Sequence, residues 1–473
     1  MKQQSFAGQG SLGFLDEADT AYLDAVMQIW ASTAIYTASP VVDTILDRLG
    51  WPAADASFVD PSCGDGMFLG RALERLLAGQ PPGFNPVGRI EGWELFEGAV
   101  IEARVRVAGI LTAHGHTAGA AARIAGEMVK HGDFITAGPK TPTWTICAGN
   151  PPYLRYANVP DIIRQAHRRH VPGYAIADML HSFLERIARV VIPGGQIGLV
   201  TSDRWLINDQ AAGLREALGR FLSLTHHERL SVESSFYRPK TRRRDSLPRI
   251  HPVLVTFSTD LKQGVKLTSA PHYPGVDASV YSGIPTLGDF AKVRLAPWLG
   301  TKGIFVVDAR VASGLPSEYL VPAVDTDDFQ NGNLGTPTRW AIRTLPDEEP
   351  PAEIMQHLES QMHRMAKRGL NGKFWMPPES WHNMDLSRES LLVPRIAKAP
   401  RAIRVPAGCL PINHNLSIVS GSEEQLAAVE AALADPLALQ WVREHAAPLE
   451  NGYFSLTTQL LRKLPMAHAA APA

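Results

Sequence analysis

Short apolar segments alternate with amphipathic ones along the first half of the chain. Apolar, β-branched segments that end at Gly, Pro, Asn or Asp predict buried strands, and apolar residues spaced three or four apart predict helices. The pattern predicts helices over 16–30, 40–49, 97–107 and 178–191. Strands are predicted before Asp60, Phe96 and Asn150 and over 196–201. Strands that alternate with helices are typical of an α/β fold with a doubly wound parallel sheet.

The alternation stops near Asp260, and segments punctuated by Pro and Gly follow. Before that point, 230–237 and 250–258 are predicted as strands joined by a basic loop. Beyond it, Ser422 with Gln425 predicts a capped helix in a region of mixed character. We therefore expect one domain over 1–260 and a second, α+β domain over 261–473.

Composition narrows the class of protein. The 473 residues are 45% hydrophobic and 20% charged with a formal net charge of −1, so only local patches could bind an acidic partner. Cys63, Cys147 and Cys409 are far apart in sequence, which disfavours a metal site and fits a reducing compartment. With no apolar leader or membrane-length apolar run evident, we expect a cytoplasmic protein without a membrane partner.

A glycine turn follows the first predicted strand, in Asp60-Pro-Ser-Cys-Gly-Asp-Gly66. Glycines there allow a backbone to approach a ligand closely, but Gly70 comes one position too late for the dinucleotide-binding spacing Gly-x-Gly-x-x-Gly. Asp60 and Asp65 would also repel phosphate. The turn therefore favours a ligand that carries a cationic group.

Three further positions have a structural and a functional interpretation. Glu94 ends the second strand, where a carboxylate can bind ribose hydroxyls and Phe96 can face an adenine, or it is a solvated acid. Asp133 could accept a hydrogen bond from an adenine amino group or cap a turn. Thr37 precedes the predicted start of a helix at Pro40. The N-terminus of that helix could bind a carboxylate, or the segment could simply be a capped helix.

Asn150-Pro-Pro-Tyr153 follows an apolar strand, 143–148. Two prolines lack N–H donors and stiffen the backbone, so the Asn150 amide and the Pro151 carbonyl are offered as acceptors beside the Tyr153 ring. Such a corner suits a planar group with an amino nitrogen, whose developing positive charge the acceptors would stabilise. Read alone, the motif favours a proline-rich turn that ends a core strand, because short motifs recur by chance.

In this order and spacing, the glycine turn, Glu94, Asp133 and Asn150-Pro-Pro-Tyr153 resemble the S-adenosylmethionine-dependent N6-adenine DNA methyltransferases of the gamma group, of Taq and Eco57I type. Tyr36-Thr-Ala-Ser-Pro40 resembles the upstream cofactor motif of that group. The resemblance implies a class I, Rossmann-like catalytic domain followed by a target-recognition domain. It implies cofactor contacts from Thr37, Asp60, Cys63, Gly64, Gly66, Glu94, Phe96, Asp133 and Asn150.

The resemblance also implies that a flipped adenine is held by Asn150, Pro151, Pro152 and Tyr153. A second aromatic residue closes the sandwich in this group; Phe236 is our choice, and Tyr237 is the alternative because alternation does not decide between neighbours. Double-stranded DNA is the expected substrate, and a separate restriction or phage-defence subunit is a conceivable partner.

Basic residues near the motif and in the second domain are candidates for contact with the DNA backbone, or they are ordinary solvated charges. The candidates are Arg155, Arg168, Arg169, Lys240, Arg242, Arg243, Arg244, Lys373, Arg395 and Lys398. Three alternative functions stay open: methylation of an RNA base, methylation of a protein glutamine, and DNA recognition without catalysis.

Overall fold

The computed structural model describes residues 17–237, 251–274, 276–330, 333–365 and 373–466. The chain divides into two compact units, Met1–Gly275 and Val276–Ala473. The first unit continues past Asp260 because Val265–Lys266 forms an edge strand that pairs with Ser223 and Leu224. In the described part of the chain, no helix combines the length and apolarity needed to cross a membrane.

The first unit consists of helices and strands in alternation. Its helices are α1 (Glu17–Thr33), α2 (Ser39–Arg48), α3 (Met67–Leu77), α4 (Glu97–Ala113), α5 (Ala118–Met128), α6 (Phe134–Ala137), α7 (Asp161–Arg168), α8 (Met179–Val190), α9 (Arg204–Ile207), α10 (Ala212–Leu218) and α11 (Val232–Ser235). Its strands are β1 (Tyr36–Thr37), β2 (Phe58–Asp60), β3 (Ile90–Glu94), β4 (Val129–His131), β5 (Trp144–Gly149), β6 (Val191–Ser202), β7 (Ser223–Arg229), β8 (Phe236–Tyr237), β9 (Pro252–Ser258) and β10 (Val265–Lys266).

Eight of these strands form one sheet in the order β10-β7-β9-β6-β5-β2-β3-β4. Strands β4, β3, β2, β5 and β6 are parallel neighbours, and β9 runs antiparallel between β6 and β7. The chain leaves β2 toward β3 and later returns to its other side at β5. Ligands bind at such a switch point, outside the carboxyl ends of the strands. The doubly wound α/β fold predicted from the sequence is confirmed.

The two faces of the sheet bury separate apolar clusters. One is formed by α8, α10 and the sheet, with Phe183, Leu184 and Trp205 among its members. The other is formed by α2 to α5, with Leu69 and Leu73 packed against Phe58. Asp178 begins α8 by accepting a hydrogen bond from the Leu180 N–H at 3.0 Å. These caps and clusters hold the strand ends rigidly, which a site built on them requires.

The strand predicted over 230–237 is wrong. Val232–Ser235 forms the single helical turn α11, and only Phe236 and Tyr237 are extended, paired with Thr37 and Tyr36 in a two-stranded ribbon. The strand of the main sheet lies earlier, in β7, whose polar residues disguise it in the sequence. The neighbouring strand predicted over 250–258 is confirmed in β9, Pro252–Ser258.

The second unit mixes short strands with helices. Its helices are α12 (Leu287–Phe290), α13 (Ala309–Ala312), α14 (Ala352–Ser360), α15 (Glu423–Ala434), α16 (Pro436–His445) and α17 (Thr458–Arg462). Its strands are β11 (Ala291–Leu295), β12 (Val306–Asp308), β13 (Leu320–Val324), β14 (Phe329–Gln330), β15 (Asn333–Leu334), β16 (Arg339–Ile342), β17 (Ser390–Val393), β18 (Ile396–Ala397), β19 (Ile403–Val405), β20 (Leu410–Pro411), β21 (Leu416–Ser420), β22 (Ala447–Pro448) and β23 (Phe454–Ser455).

Two four-stranded sheets dominate this unit, in the orders β11-β21-β17-β19 and β12-β16-β13-β20. The predicted cap of α15 is confirmed, because the Ser422 side chain accepts a hydrogen bond from the Gln425 N–H at 3.2 Å. Leu426, Val429 and Leu433 of that helix are buried as expected. Each sheet has its own apolar cluster, so the unit has a core independent of the first.

Candidate active site

A cleft opens at the carboxyl ends of β2, β3, β4 and β5. The loops after these four strands, the segment before β1 and helix α1 all contribute to its wall. The lining residues include Val26, Ile29, Trp30, Thr33, Ile35, Tyr36, Thr37, Pro61, Ser62, Gly64, Glu94, Phe96, Asp133, Asn150 and Pro152. The sequence-predicted positions from five separate segments therefore meet in one cavity.

The glycine turn forms one side of the cleft at Gly64. Its φ of +55° is strained for residues with a side chain, and a Cβ there would lie 2.9 Å from the Tyr36 ring. Gly66, with φ of +83°, faces away and packs on Ala103 of α4. The turn thus needs one glycine for the cleft wall and one for close packing of α4.

Glu94 is held at the edge of the cleft by the backbone. Its Oε2 accepts the Gly64 N–H at 2.9 Å, and its Oε1 accepts the Phe96 N–H at 2.8 Å. Burial raises the pKa of the carboxyl, and these two hydrogen bonds oppose the shift. Since each carboxylate oxygen can accept two hydrogen bonds, Glu94 keeps acceptor capacity for ligand hydroxyls.

Asp60 and Asp65 lie behind the cleft wall. Asp60 is buried, and its Oδ1 accepts the Ser62 N–H at 3.0 Å. Burial raises its pKa well above the usual range, and the charges of Glu94 and Asp65 add to the shift. Asp65 is ion-paired with Arg106 at 2.6 Å and accepts the Tyr237 hydroxyl at 2.7 Å.

Three residues predicted at the cofactor are therefore absent from the cleft lining: Asp60, Cys63 and Gly66. All three are buried, and the Cys63 sulfur lies against the backbone of Gly92, 3.1 Å from where a Cβ would stand. The charge of Asp65 is already balanced by Arg106, and the role of Asp60 at a cationic ligand stays a prediction. These residues shape the wall rather than form its surface.

Thr37 presents a buried polar atom to the cleft. Its side chain is 3% exposed, and among the described residues its hydroxyl has no hydrogen-bond partner. The helix that follows, α2, begins after Ala38, which has no side chain able to cap it. A buried hydroxyl without a partner is costly, so a polar group of a ligand is its natural complement.

Helix α1 supplies a wall that the sequence analysis did not assign to the site. Val26, Ile29, Trp30 and Thr33 line the cleft, and the Trp30 ring stacks on Phe96 at 4.5 Å between ring centroids. Phe96 therefore lines the cavity with one face already covered. The apolar stripe of this helix was visible in the sequence, but periodicity alone does not say what a stripe covers.

Asp133 begins the short helix α6. Its Oδ1 accepts the Ile135 N–H at 3.0 Å, and its Oδ2 lies 2.9 Å from Nε2 of the buried His167. The turn-capping and the ligand-facing interpretations of Asp133 are thus compatible, since the capped carboxylate also lines the cleft.

The Asn150 side chain is oriented by two contacts. Its Nδ2 donates to the Ile35 carbonyl at 3.1 Å, and its Oδ1 accepts from the Tyr153 hydroxyl, which also lies 2.9 Å from the Val200 carbonyl. Because the carbonyl of Ile35 only accepts, the amide nitrogen must face it. The amide oxygen is consequently turned toward the motif's own tyrosine.

The two aromatic residues chosen for base stacking pack against different halves of the core. Tyr153 contacts the cluster formed with α8, and burial raises its pKa well above the usual range. Phe236 contacts the cluster formed with α2 to α5 and pairs through its backbone with Thr37. Its neighbour Tyr237 bonds to Asp65 and so turns toward the glycine turn.

The candidate DNA contacts fall into three groups. In the first unit Arg155, Arg168 and Arg169 are exposed, and Lys240, Arg242, Arg243 and Arg244 lie outside the described residues. In the second unit Lys373, Arg395 and Lys398 are exposed. Arg404, from the same basic stretch, is instead ion-paired with Glu389, Glu423 and Glu430, and Trp381 is buried.

This combination of sheet order and cleft is typical of the class I methyltransferase fold, whose implied cofactor is S-adenosylmethionine. The partnerless Thr37 hydroxyl, the close-approach position at Gly64 and the acceptors of Glu94 and Asp133 fit the amino-acid, ribose and adenine parts of that cofactor. The comparisons with known proteins agree. Residues 127–233, which include Asp133 and Asn150, match the family described as Eco57I restriction-modification methylase.

Relatives extend over nearly the whole chain. It is 24% identical to the type II methyltransferase M.XhoI of Xanthomonas vasicola, covering 92% of this chain and 91% of that protein. It is 25% identical to M.PaeR7I of Pseudomonas aeruginosa, covering 92% and 85%. Together these similarities support a DNA methyltransferase of the restriction-modification type.

A solved structure supports the fold. The type IIL restriction-modification enzyme MmeI, determined in complex with DNA, matches with a TM-score of 0.56 at 12% identity. The match covers 94% of this chain and 66% of that one, so the chain spans slightly less than two thirds of MmeI.

Proposed function

We propose that the protein transfers a methyl group from S-adenosylmethionine to N6 of an adenine that is flipped out of duplex DNA. The observation that carries this proposal is the shared cleft: Asn150 and Pro152 line the same cavity as Gly64, Glu94 and Asp133. A group held by the motif would therefore meet a cofactor held by the other three residues.

The cofactor supplies an electrophilic methyl group on a sulfonium when bound. The chain's residues position the attacking nitrogen. An adenine amino group is a weak nucleophile because its lone pair is delocalised, and acceptors for its two hydrogens favour the tetrahedral geometry of attack. Asn150 Oδ1 and the Pro151 carbonyl are those acceptors, and they stabilise the positive charge that develops on nitrogen.

Substrate entry then requires one rearrangement. The Tyr153 hydroxyl now donates to Asn150 Oδ1, so an adenine amino group replaces it as the donor. The ring of Tyr153 stacks on the extruded base, and Phe236 is the aromatic residue proposed for the opposite face. Extrusion of a base costs a few kcal/mol, which contacts to the phosphate backbone offset.

Exposed cations supply those backbone contacts. Arg155, Arg168 and Arg169 lie within the 24 residues that follow the motif, and Lys373, Arg395 and Lys398 belong to the second unit, which we propose is the target-recognition domain. Both M.XhoI and M.PaeR7I are type II methyltransferases. By analogy we propose a role in restriction-modification or phage defence, alongside a separately encoded partner.

Methyl-labelled S-adenosylmethionine offered to duplex DNA, RNA and protein tests the proposal. We expect label in duplex DNA, recovered as N6-methyladenine after digestion to nucleosides. Recovery as N4-methylcytosine, or label in RNA or protein glutamine, would overturn the assigned acceptor. Cofactor binding and DNA binding without any transfer would instead indicate a recognition subunit.

A further inference from the structure

A chain of buried polar side chains runs from the cleft into the core. Asp133 Oδ2 lies 2.9 Å from His167 Nε2, and His167 Nδ1 lies 2.8 Å from the Tyr156 hydroxyl. That hydroxyl lies 2.8 Å from Ser182 Oγ, which donates to the Ala175 carbonyl at 2.7 Å. His167 and Ser182 are 0% exposed, Tyr156 is 4% and Asp133 is 8%.

Counting the hydrogens available in this hydrogen-bond network identifies the donor in each pair. The Ala175 carbonyl only accepts, so the single hydroxyl hydrogen of Ser182 points to it. Ser182 Oγ must then accept from Tyr156, and the Tyr156 oxygen in turn accepts from His167 Nδ1. The Nδ1 hydrogen is thereby fixed, and a second hydrogen lies between His167 Nε2 and Asp133 Oδ2.

This arrangement fixes the rotamer of Asp133. Its Oδ2 is held by His167 and by the Thr136 hydroxyl at 3.1 Å, and its Oδ1 by the Ile135 N–H. The carboxylate keeps one unused acceptor direction on Oδ1, and the residue lines the cleft. A group presented from the cleft must therefore be a donor, as the amino group of an adenine is.

We propose that His167 is a positioning residue: with Tyr156 and Ser182 it holds Asp133 so that the cleft selects a cofactor whose purine carries an amino group. The inference rests on the proposed function in one respect, that the ligand is S-adenosylmethionine with its adenine at Asp133. The complete burial of His167 on α7 separates it from the exposed Arg168 and Arg169 that follow it.

The test compares two ligands on the purified full chain. S-adenosylhomocysteine carries the 6-amino group, and its inosine counterpart carries a carbonyl acceptor instead. We expect the wild type to bind the adenosine compound at least about tenfold more tightly, since an acceptor facing a fixed carboxylate leaves both unpaired. In His167→Ala that preference falls to about threefold or less, while kcat at saturating cofactor stays within about threefold.

Two further variants make the result specific. Tyr156→Phe removes the acceptor for Nδ1–H and lowers the preference in the same direction by a smaller factor, about twofold. His170→Ala, an exposed histidine of the same segment, serves as the matched control and leaves the preference unchanged. Thermal unfolding establishes that each variant is folded.

An unchanged preference in folded His167→Ala overturns the proposal. If His167→Ala does not fold, Tyr156→Phe provides the test. A Tyr156→Phe variant that keeps the wild-type preference for the adenosine compound also overturns the proposal. A wild type that shows the expected preference but methylates no DNA would defeat the proposed function and leave this inference standing. A wild type that binds neither compound would defeat both.

Discussion

Replacing Asn150 with alanine tests catalysis separately from cofactor binding. The substitution removes both contacts of the amide, from Nδ2 to the Ile35 carbonyl and from the Tyr153 hydroxyl to Oδ1. The Tyr153 hydroxyl keeps the Val200 carbonyl as its acceptor, so no buried donor is left without a partner there.

The substitution should lower the stability of the protein slightly and its catalytic rate strongly. Each deleted hydrogen bond contributes about 0.5–1.5 kcal/mol to folding, so the free energy of unfolding should fall by about 1–3 kcal/mol. Loss of one preorganised group that stabilises the transition state typically lowers kcat about 100- to 1,000-fold. Cofactor affinity should change by less than about threefold, because Thr37, Glu94 and Asp133 are untouched.

Initial rates of methyl transfer to duplex DNA, with titration calorimetry for S-adenosylhomocysteine, measure the two quantities. Asn158→Ala, an exposed asparagine a few residues further on, is the matched control and should behave as wild type. A folded Asn150→Ala enzyme with a rate near that of wild type would remove Asn150 from the chemistry. A loss of rate explained entirely by weakened cofactor binding would contradict the separation argued above.

Substitutions at Tyr153, Gly149 and Asp60 have expected outcomes. Tyr153→Phe should keep the methylation rate within about tenfold, and Tyr153→Ala should lower it more than about 100-fold, because the ring rather than the hydroxyl holds the base. Gly149→Ala places a Cβ 2.4 Å from Asp60 Oδ1 and should destabilise by about 1–3 kcal/mol in urea unfolding, whereas Gly126→Ala, with open space around it, should not. Burial raises the pKa of Asp60 in the folded state, so the folded form binds the extra proton and stability falls as pH rises from about 3.9 through that raised pKa. Asp60→Asn should therefore show a weaker pH dependence of unfolding, and an identical dependence would exclude Asp60 as its source.

The fold of the first unit could be predicted because local sequence signals mark the ends of its helices and strands. Asp178 caps a long amphipathic helix, and the buried strand before Asn150 ends at prolines that cannot extend a sheet. The failure at 230–237 has the opposite cause: Leu230 to Tyr237 alternates by chance over too few residues to distinguish a strand from a single turn. β7 was overlooked because Thr225, His226 and His227 make an interior strand look like a polar loop.

The candidate site was predictable only where a motif fixes the geometry. Glu94, Asp133 and Asn150 follow strand ends, and parallel strands bring their carboxyl ends to one edge. His167 gave no such signal, because its partner Asp133 is distant in sequence and becomes a neighbour only after α6 and α7 pack. In the sequence, a histidine beside Arg168 and Arg169 predicts an exposed charged segment.

The segment that precedes the first strand of the main sheet unites the two halves of the site. The Ile35 carbonyl orients the Asn150 amide, the Tyr36 ring closes over Gly64, and the Thr37 hydroxyl faces the cleft. The same segment is anchored by β8, whose Tyr237 reaches Asp65. The proposed acceptor for the amino group and the proposed cofactor site thus share one short stretch of backbone, so a displacement of that stretch would shift both together. In-line methyl transfer requires the nitrogen, the methyl group and the sulfur to be collinear. Because one backbone segment contacts both sites, a shift of that segment moves the acceptor and the cofactor site in the same direction and preserves their alignment.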